Sequence, residues 1–474
     1  MKTQSYFHLH KLNHDERVLM KALRYTLITV AIMILSVNVP TFVNGQARDH
    51  TITNSFKTGN KPILGWSSWS FIRKDPTAKK MKEQAWALHH SGLQELGYEY
   101  INLDDFWYLG KDSLGPEVDQ YGRWVTDASK FPPHGEDNGI KVVADYVHSL
   151  GLKFGIYLTP GISKQAIKKH TIIKGTQYTA DEIAEPSVKE NNYNFGGMVG
   201  INFSKPGAQA YINSIADMFA SWGVDFIKFD GTNDNNAADI KAWYYAIRQS
   251  GRPMHLDVTQ GSFTTAIALT LMKYADQWEF APDIECYDCE KNGSSYPLTS
   301  WKNIENRFNY VAEWQPYAGP CGYNDYDAIE IGNGDNNGLT QTERQTQLSL
   351  WALGSSPIIL GTDLTHLDRW DLQECLKNKE VLAIDQDGIA AKRYINTQTQ
   401  QIFAKMEPGG DIIAGLFNIG DKAEEISIQA SKLGIPENKN GYSLYNLWTG
   451  KKGETMDTIG AMVPAHGVTL LRVR

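Results

Sequence analysis

The sequence predicts a (β/α)8 barrel followed by a C-terminal antiparallel β-sandwich. Three observations lead there. Eight short apolar runs alternate with helix-period stretches between residues 61 and 388, the order that builds a parallel sheet wrapped by helices. Nearly every run ends on a polar or charged residue, as barrel strands do at the face that carries active sites. From 391 to 474 the long helical period disappears, and short runs are separated by Gly, Asn and Asp, the pattern of paired antiparallel strands.

Residues 1–46 read differently. Lys21 and Arg24 precede the apolar run YTLITVAIMILSV and a small-residue end, the layout of a secretory signal. The run is shorter than the roughly 20 residues a membrane span needs. The expectation is an exported chain (periplasmic, cell-surface or secreted), with an uncleaved signal-anchor as the variant. The barrel strands are then expected in KPILGW (61–66), YEYINLDD (98–105), GLKFGIYLTP (151–160), GVDFIKFD (223–230), PMHLDV (253–258), ADQWEFAPD (275–283), VAEWQPYAG (311–319) and PIILGTD (357–363). Between them lie helical stretches such as GAQAYINSIADMFASW and TQTERQTQLSLWALGSS, the latter with Thr340 and Glu343 at capping-box spacing. In the last domain, QQIFAKM, DIIAGLFNIG, EEISIQA, YSLYNLW and GVTLLRVR read as strands.

Composition narrows the function. The net charge of −8 leaves no basic footprint for nucleic acid. Thirteen Trp and 23 Tyr suit the apolar faces of sugar rings, and equally a large aromatic core. Cys286 and Cys289 stand as a lone CxxC, with Cys321 and Cys375 elsewhere. No second CxxC or HxxxH completes a zinc set, so one or two disulfides are expected.

The stretch SWGVDFIKFDGTND (221–234) poses the chemical question. Lys228 and Asp230 alternate, so an extended chain points both to one side. Other strand ends add Asp104, Asp105, Asp257, Asp283 and Asp363, with Trp66, Trp107 and Trp278 beside them. Carboxylates and aromatics in one cleft fit a divalent-metal site or a glycosidase, in which one carboxyl attacks and another protonates. An ammonium beside Asp230 would compete with a metal ion. Beside a nucleophile it would hold the carboxylate ionised. The residues therefore point to sugar chemistry without metal or organic cofactor.

The motifs GWSSWS (65–70), YINLDDFW (100–107), GLKFGIYLTPG (151–161), VDFIKFDG (224–231), WEFAPDIE (278–285), YAGPCGYNDYDAIEIGNG (317–334) and LSLWALGSSPIILGTDL (348–364) occur in this order. As an ordered set covering about residues 61–474, they resemble glycoside hydrolase family 27, the α-galactosidase (melibiase) family. The resemblance implies a retaining exo-glycosidase acting on terminal α-D-galactosyl groups of oligo- or polysaccharides or glycoconjugates. Asp230 matches its nucleophile and Asp283 its acid/base. Asp104 and Asp105 match the pair holding O4 and O6, Lys228 the lysine near the ring hydroxyls, and Trp66 the aromatic wall.

The chain also departs from that pattern. Glu279 stands where the family has Arg on the substrate O2 side. MHLDVTQ replaces the usual segment there, making Asp257 and Gln260 candidates for the same side. Cys321 and Tyr323 depart from Gly-His-Trp, and DDFW lacks the usual Cys, so the family's disulfides do not carry over. The loop TPGISKQAIKKHTIIKGTQYTADEIA is similar to the bacterial branch that includes β-L-arabinopyranosidases, which makes that activity the alternative. A sugar-binding protein with a retired active site, suggested by Glu279, is the third reading. Asn324, Asp325 and Asp327 are expected to shape a loop, Asp363 to cap a helix, and His255 and His366 to be structural. Cys286 and Cys289 are expected to fix the loop beside Asp283.

Overall fold

The computed structural model describes residues 61–259, 263–289, 294–320 and 322–474. The expected signal segment, Gln260 and Cys321 lie outside them. Eight parallel strands form the central sheet. They are β1 (Leu64–Ser67), β2 (Tyr98–Leu103), β3 (Lys153–Leu158), β4 (Phe226–Phe229), β5 (His255–Val258), β6 (Gln277–Glu279), β7 (Tyr323–Asp325) and β8 (Ile358–Leu360). Each pairs with its sequence neighbour from β1 to β7, and β8 pairs back onto β1, Trp66 opposite Leu360. The remaining gap is bridged by Ile329, whose amide donates to Ile359 O at 2.7 Å and whose carbonyl accepts from Gly361 N at 3.1 Å. The barrel thus closes through a residue just past β7.

Seven of the eight strand regions coincide with the expected runs. The seventh does not. Residues 311–319, expected as a strand, complete the helix Trp301–Trp314 and a 3-10 turn at Gln315–Tyr317. That helix buries Ile304, Phe308, Val311 and Trp314 on one face, and this 3.6-residue period overrides the local β-branched and aromatic content. The true strand, Tyr323–Asp325, is three residues long and largely polar.

The barrel interior tolerates little volume. A Cβ on Gly155 would lie 2.1 Å from Asn102 Oδ1 and 2.8 Å from the Phe226 ring. Helices Ala208–Ser221 and Gln341–Gly354 form where their periodicity places them. The second carries the reciprocal Thr340–Glu343 cap, Thr340 N donating to Glu343 at 2.7 Å.

After the helix Lys379–Asp385, strands Lys392–Asn396, Gln400–Met406, Ile412–Asn418, Val468–Val473, Tyr442–Asn446 and Lys452–Thr455 form an antiparallel sheet in that spatial order. A two-stranded sheet, Glu424–Gln429 with Thr458–Val463, closes a separate apolar core including Ile402, Leu416, Ile426 and Ile459. Strand alternation sends the opposite set, Phe403, Ile413 and Phe417, into the core shared with the barrel. Phe308 meets Phe417 at 5.2 Å there.

Candidate active site

The C-terminal ends of the strands surround a cavity of about 570 Å³. At the end of β4, Asp230 N donates to Leu158 O at 2.9 Å, which ties it to the end of β3. Its Oδ1 accepts from Gly231 N at 2.6 Å and Thr259 Oγ1 at 2.8 Å. Gly231 has φ +69°, and a Cβ there would sit 2.9 Å from Asn191 Cβ, so the turn that aims Asp230 requires glycine. Two residues earlier, Lys228 donates to Asp104 Oδ2 at 2.9 Å.

Lys228 favours the ionised form of Asp230 but makes no direct bond to it. Its hydrogen bond goes to Asp104, and it reaches Asp230 only through space. Burial outweighs that attraction, with Asp104 adding to it, and Asp230 is pushed up to about 6. Burial pulls the Lys228 amine down, but Asp104, Asp230 and Glu279 together lift it well above its ordinary value.

Beyond β2 the carboxylates follow as a braced pair. Asp104 N donates to Ser68 Oγ at 2.9 Å, and Asp105 N to Asp104 Oδ1 at 2.7 Å. Phe106 N donates to Asp105 Oδ1 at 2.7 Å, with Phe106 held at φ +71°. Burial raises Asp105 to about 7. Both aspartates line the cavity.

The aromatic wall is Trp69, not Trp66. Trp66 is fully buried within β1, and its indole donates to Thr362 O at 2.7 Å, so the expected contact with sugar is corrected. Three residues later the chain has turned into the short helix Trp69–Ile72, which brings Trp69 to the cavity beside Tyr157, Tyr193 and Tyr287. Trp69 Nε1 donates to Tyr287 OH at 2.9 Å, and that hydroxyl donates to Asp283 Oδ2. Asp283 lies at the exposed rim. Cys286 and Cys289 form a disulfide in the turn that carries Tyr287, while Cys375 is buried and free.

Glu279 ends β6 opposite Asp325 of β7. It lines the cavity, as does Asp327, and the carboxylate oxygens of Glu279, Asp283 and Asp327 lie within 4.8 Å of one another. These three are the residues among those described whose spacing could hold a cation. Asp327 does shape its loop: Oδ2 accepts from Ile284 N and Oδ1 from Ala328 N, each at 2.6 Å. It is held at φ +73°, and Trp351 on the helix behind donates to its carbonyl at 2.7 Å. The expectation of a purely loop-shaping Asp327 is therefore too narrow. Asn324, on β7, accepts from Trp278 Nε1 and donates to Trp314 O, each at 2.7 Å.

Asp257 sits one layer deeper, opposite Lys228 in register and buried. It lines a smaller cavity beneath the main one, with Lys228, Glu279 and Asp325, and so falls outside the main lining where it was expected to meet substrate. Burial, then the neighbouring Asp325, holds its carboxyl well above the usual range. Sequence reasoning missed Trp69, Tyr193, Glu285 and Tyr287 in the lining. Trp69 lay inside the quoted GWSSWS motif, and only its position past the strand end separates it from Trp66. Asp363 and His366 pair with each other at 2.7 Å, and Asp363 caps the turn Leu364–His366. His255 stacks on Phe226 and bonds Gln277 at 2.9 Å inside the barrel.

Comparison with known proteins gives a consistent picture. A family described as "Alpha galactosidase A" matches residues 65–166 and 163–387, and the "Alpha galactosidase C-terminal beta sandwich domain" matches 397–473. Alpha-galactosidase A of Cellvibrio japonicus is 30% identical over 439 residues, covering 87% of this chain and 91% of that protein. The alpha-galactosidase of Coffea arabica is 31% identical, covering 86% and 92%. A solved β-L-arabinopyranosidase of family 27 from Geobacillus stearothermophilus superposes with a TM-score of 0.77 at 27% identity, covering 88% and 96%. Alpha-galactosidase I of Mortierella vinacea does so with a TM-score of 0.67 at 25% identity, covering 88% and 98%.

Proposed function

The chain belongs to the α-galactosidase A family of glycoside hydrolases, and from that premise we propose that it is a retaining exo-glycosidase releasing terminal α-D-galactosyl residues. One observation carries the reading: Asp230 and Asp283 line the same cavity. Asp230 is the nucleophile. It attacks the anomeric carbon while Asp283 delivers a proton to the departing glycosidic oxygen. A covalent glycosyl–Asp230 ester results, and Asp283 then deprotonates the water that cleaves it. Gly231 N and Thr259 Oγ1 hold Oδ1 of the nucleophile, which leaves Oδ2 for the sugar. Tyr287 orients Asp283, and Trp69 fixes Tyr287.

Lys228, Asp104 and Asp105 hold ring hydroxyls in this reading, with Trp69 beneath the sugar. Both Asp104 and Asp105 are buried in the lining. An aspartate pair suits two hydroxyls, and the galactose C6 hydroxymethyl supplies one that β-L-arabinopyranose lacks. The second reading, β-L-arabinopyranosidase, is favoured by the likeness to the Geobacillus enzyme. Paired assays with p-nitrophenyl α-D-galactoside and p-nitrophenyl β-L-arabinopyranoside test the choice. A higher kcat/KM on the galactoside is expected, and the reverse order would transfer the assignment. Activity on neither would favour a sugar-binding protein. Export is part of the same proposal, supported by the basic-then-apolar pattern of residues 20–46. Cell fractionation tests it.

A further inference from the structure

We propose that the cavity floor at Glu279 receives a cationic substituent, so that the sugar site prefers galactose bearing an amino group at C2 over galactose itself. The inference rests on the galactosyl-pocket reading above.

Glu279 is only 6% exposed, lines the cavity, and its Oε1 has no hydrogen-bond partner among the described residues. A buried carboxyl without a donor is costly unless a ligand supplies one. Its two close neighbours are already engaged. Asp283 Oδ2 accepts from Tyr287 OH, and both oxygens of Asp327 accept backbone amides at 2.6 Å. Lys228, the one ammonium in the lining among the described residues, is bonded to Asp104. Glu279 therefore faces the cavity as an acceptor with its complement missing. Burial, then Asp327 and Asp283, raises its carboxyl well above the usual range, with Lys228 opposing. An ammonium brought by the ligand provides both donor and countercharge, and a neutral Glu279 reaches the same ion pair by releasing its proton to an unprotonated amine.

Two observations place the substituent. Glu279 is at the floor, so it meets the bound sugar rather than the outward aglycone. It lies within 4.8 Å of Asp283, and with Asp283 serving the oxygen on C1 in the proposed pose, the substituent assigned to Glu279 is the adjacent one on C2. A divalent ion would need several free oxygens, and two of these three carboxylates are committed to protein donors. A single charge-assisted contact to Glu279 is enough for an ammonium.

Calorimetric titration of the purified full chain with galactose, galactosamine and N-acetylgalactosamine tests the inference, at a pH that keeps the amine charged. Galactosamine is expected to bind about tenfold more tightly than galactose. N-Acetylgalactosamine, whose amide carries no charge, should show no such gain. Glu279→Gln should bring galactosamine and galactose to near parity. Parity in the unmodified protein, or a preference that survives Glu279→Gln, overturns the inference and leaves the galactosyl pocket standing. The comparison on the unmodified protein holds whether or not the variant folds. Failure of galactose itself to bind overturns the pocket reading and the inference with it. Displacement of galactosamine by millimolar calcium would make the cluster a metal site and equally overturn it.

Discussion

Lys228 and Lys405 are each paired with an aspartate, and their surroundings are opposite. Lys405, where the C-terminal sheet meets the barrel, donates to Asp387 at 2.9 Å, to Ile389 O at 2.8 Å, and to Ala352 O and Ser355 Oγ at 3.3 Å. Lys228, at the barrel mouth, bonds Asp104 and faces a cavity lined by further carboxyls. Burial lowers the Lys405 amine despite Asp387, whereas the carboxylates at the mouth lift Lys228 in spite of burial. One site surrounds its lysine with protein acceptors and, among the described residues, opens on no cavity lined by further carboxyls. The other concentrates like charges around incomplete hydrogen bonding, an arrangement that a polar ligand completes. Perturbed groups in a cavity mark function because folding alone gives no reason to assemble them.

The largest expected effect separates these regions by activity. Asp230→Ala should lower kcat on an activated galactoside by about 10⁴-fold, while Asp387→Asn should leave kcat per folded molecule unchanged. Steady-state kinetics with active-site titration measures both, and comparable losses would break the contrast. Next, Asp283→Ala should slow poor leaving groups by about 10²–10⁴-fold but activated phenols far less, since only the former need protonation. Equal losses across a leaving-group series would remove Asp283 from the acid role.

Stability should run the other way. Asp387→Asn strips the countercharge from a buried lysine and should cost about 3 kcal/mol in denaturant unfolding. Glu279→Gln replaces a carboxyl whose Oε1 has no donor among the described residues and should be neutral or stabilising. A destabilised Glu279→Gln would mean that the floor is satisfied after all.

The smallest effect is on pH. Asp230 and Asp105 titrate near 6 and 7 in the folded chain, above the ordinary value of about 4. The folded state holds these protons more tightly than the unfolded chain, so their contribution to stability is full at low pH and is lost as pH rises through 6 to 7. Activity should move oppositely, kcat/KM falling as pH drops through about 6 and Asp230 protonates. Melting temperatures and pH–rate profiles read the two trends, and both should flatten near pH 6 in Asp230→Asn. Parallel rather than opposed trends would contradict this electrostatic account.

Much of this was readable in the residues. Strand-end aspartates such as Asp104 and Asp230 stand out because a charge that closes an apolar core run is costly to bury unless it meets a partner or a cavity. The helix at Gln341–Gly354 was legible from its cap. Strand β7 was not, because its three largely polar residues carry no alternation and a neighbouring aromatic run imitates a strand. Trp69 was overlooked for Trp66 because strand length, which decides where the wall ends, is a matter of tertiary register. The proximity of Glu279, Asp283 and Asp327 depends on β6 and β7 pairing and on the left-handed backbone at Asp327, neither of which is visible locally.

The most direct test of the central claim is to supply azide to the Asp230→Ala variant with an activated α-galactoside and determine the anomeric configuration of the product. Restored turnover with accumulation of β-galactosyl azide is expected, since the anion enters from the face that the missing carboxylate used. Near-normal turnover without azide, or an α-azide product, would show that the bond-forming carboxylate lies elsewhere.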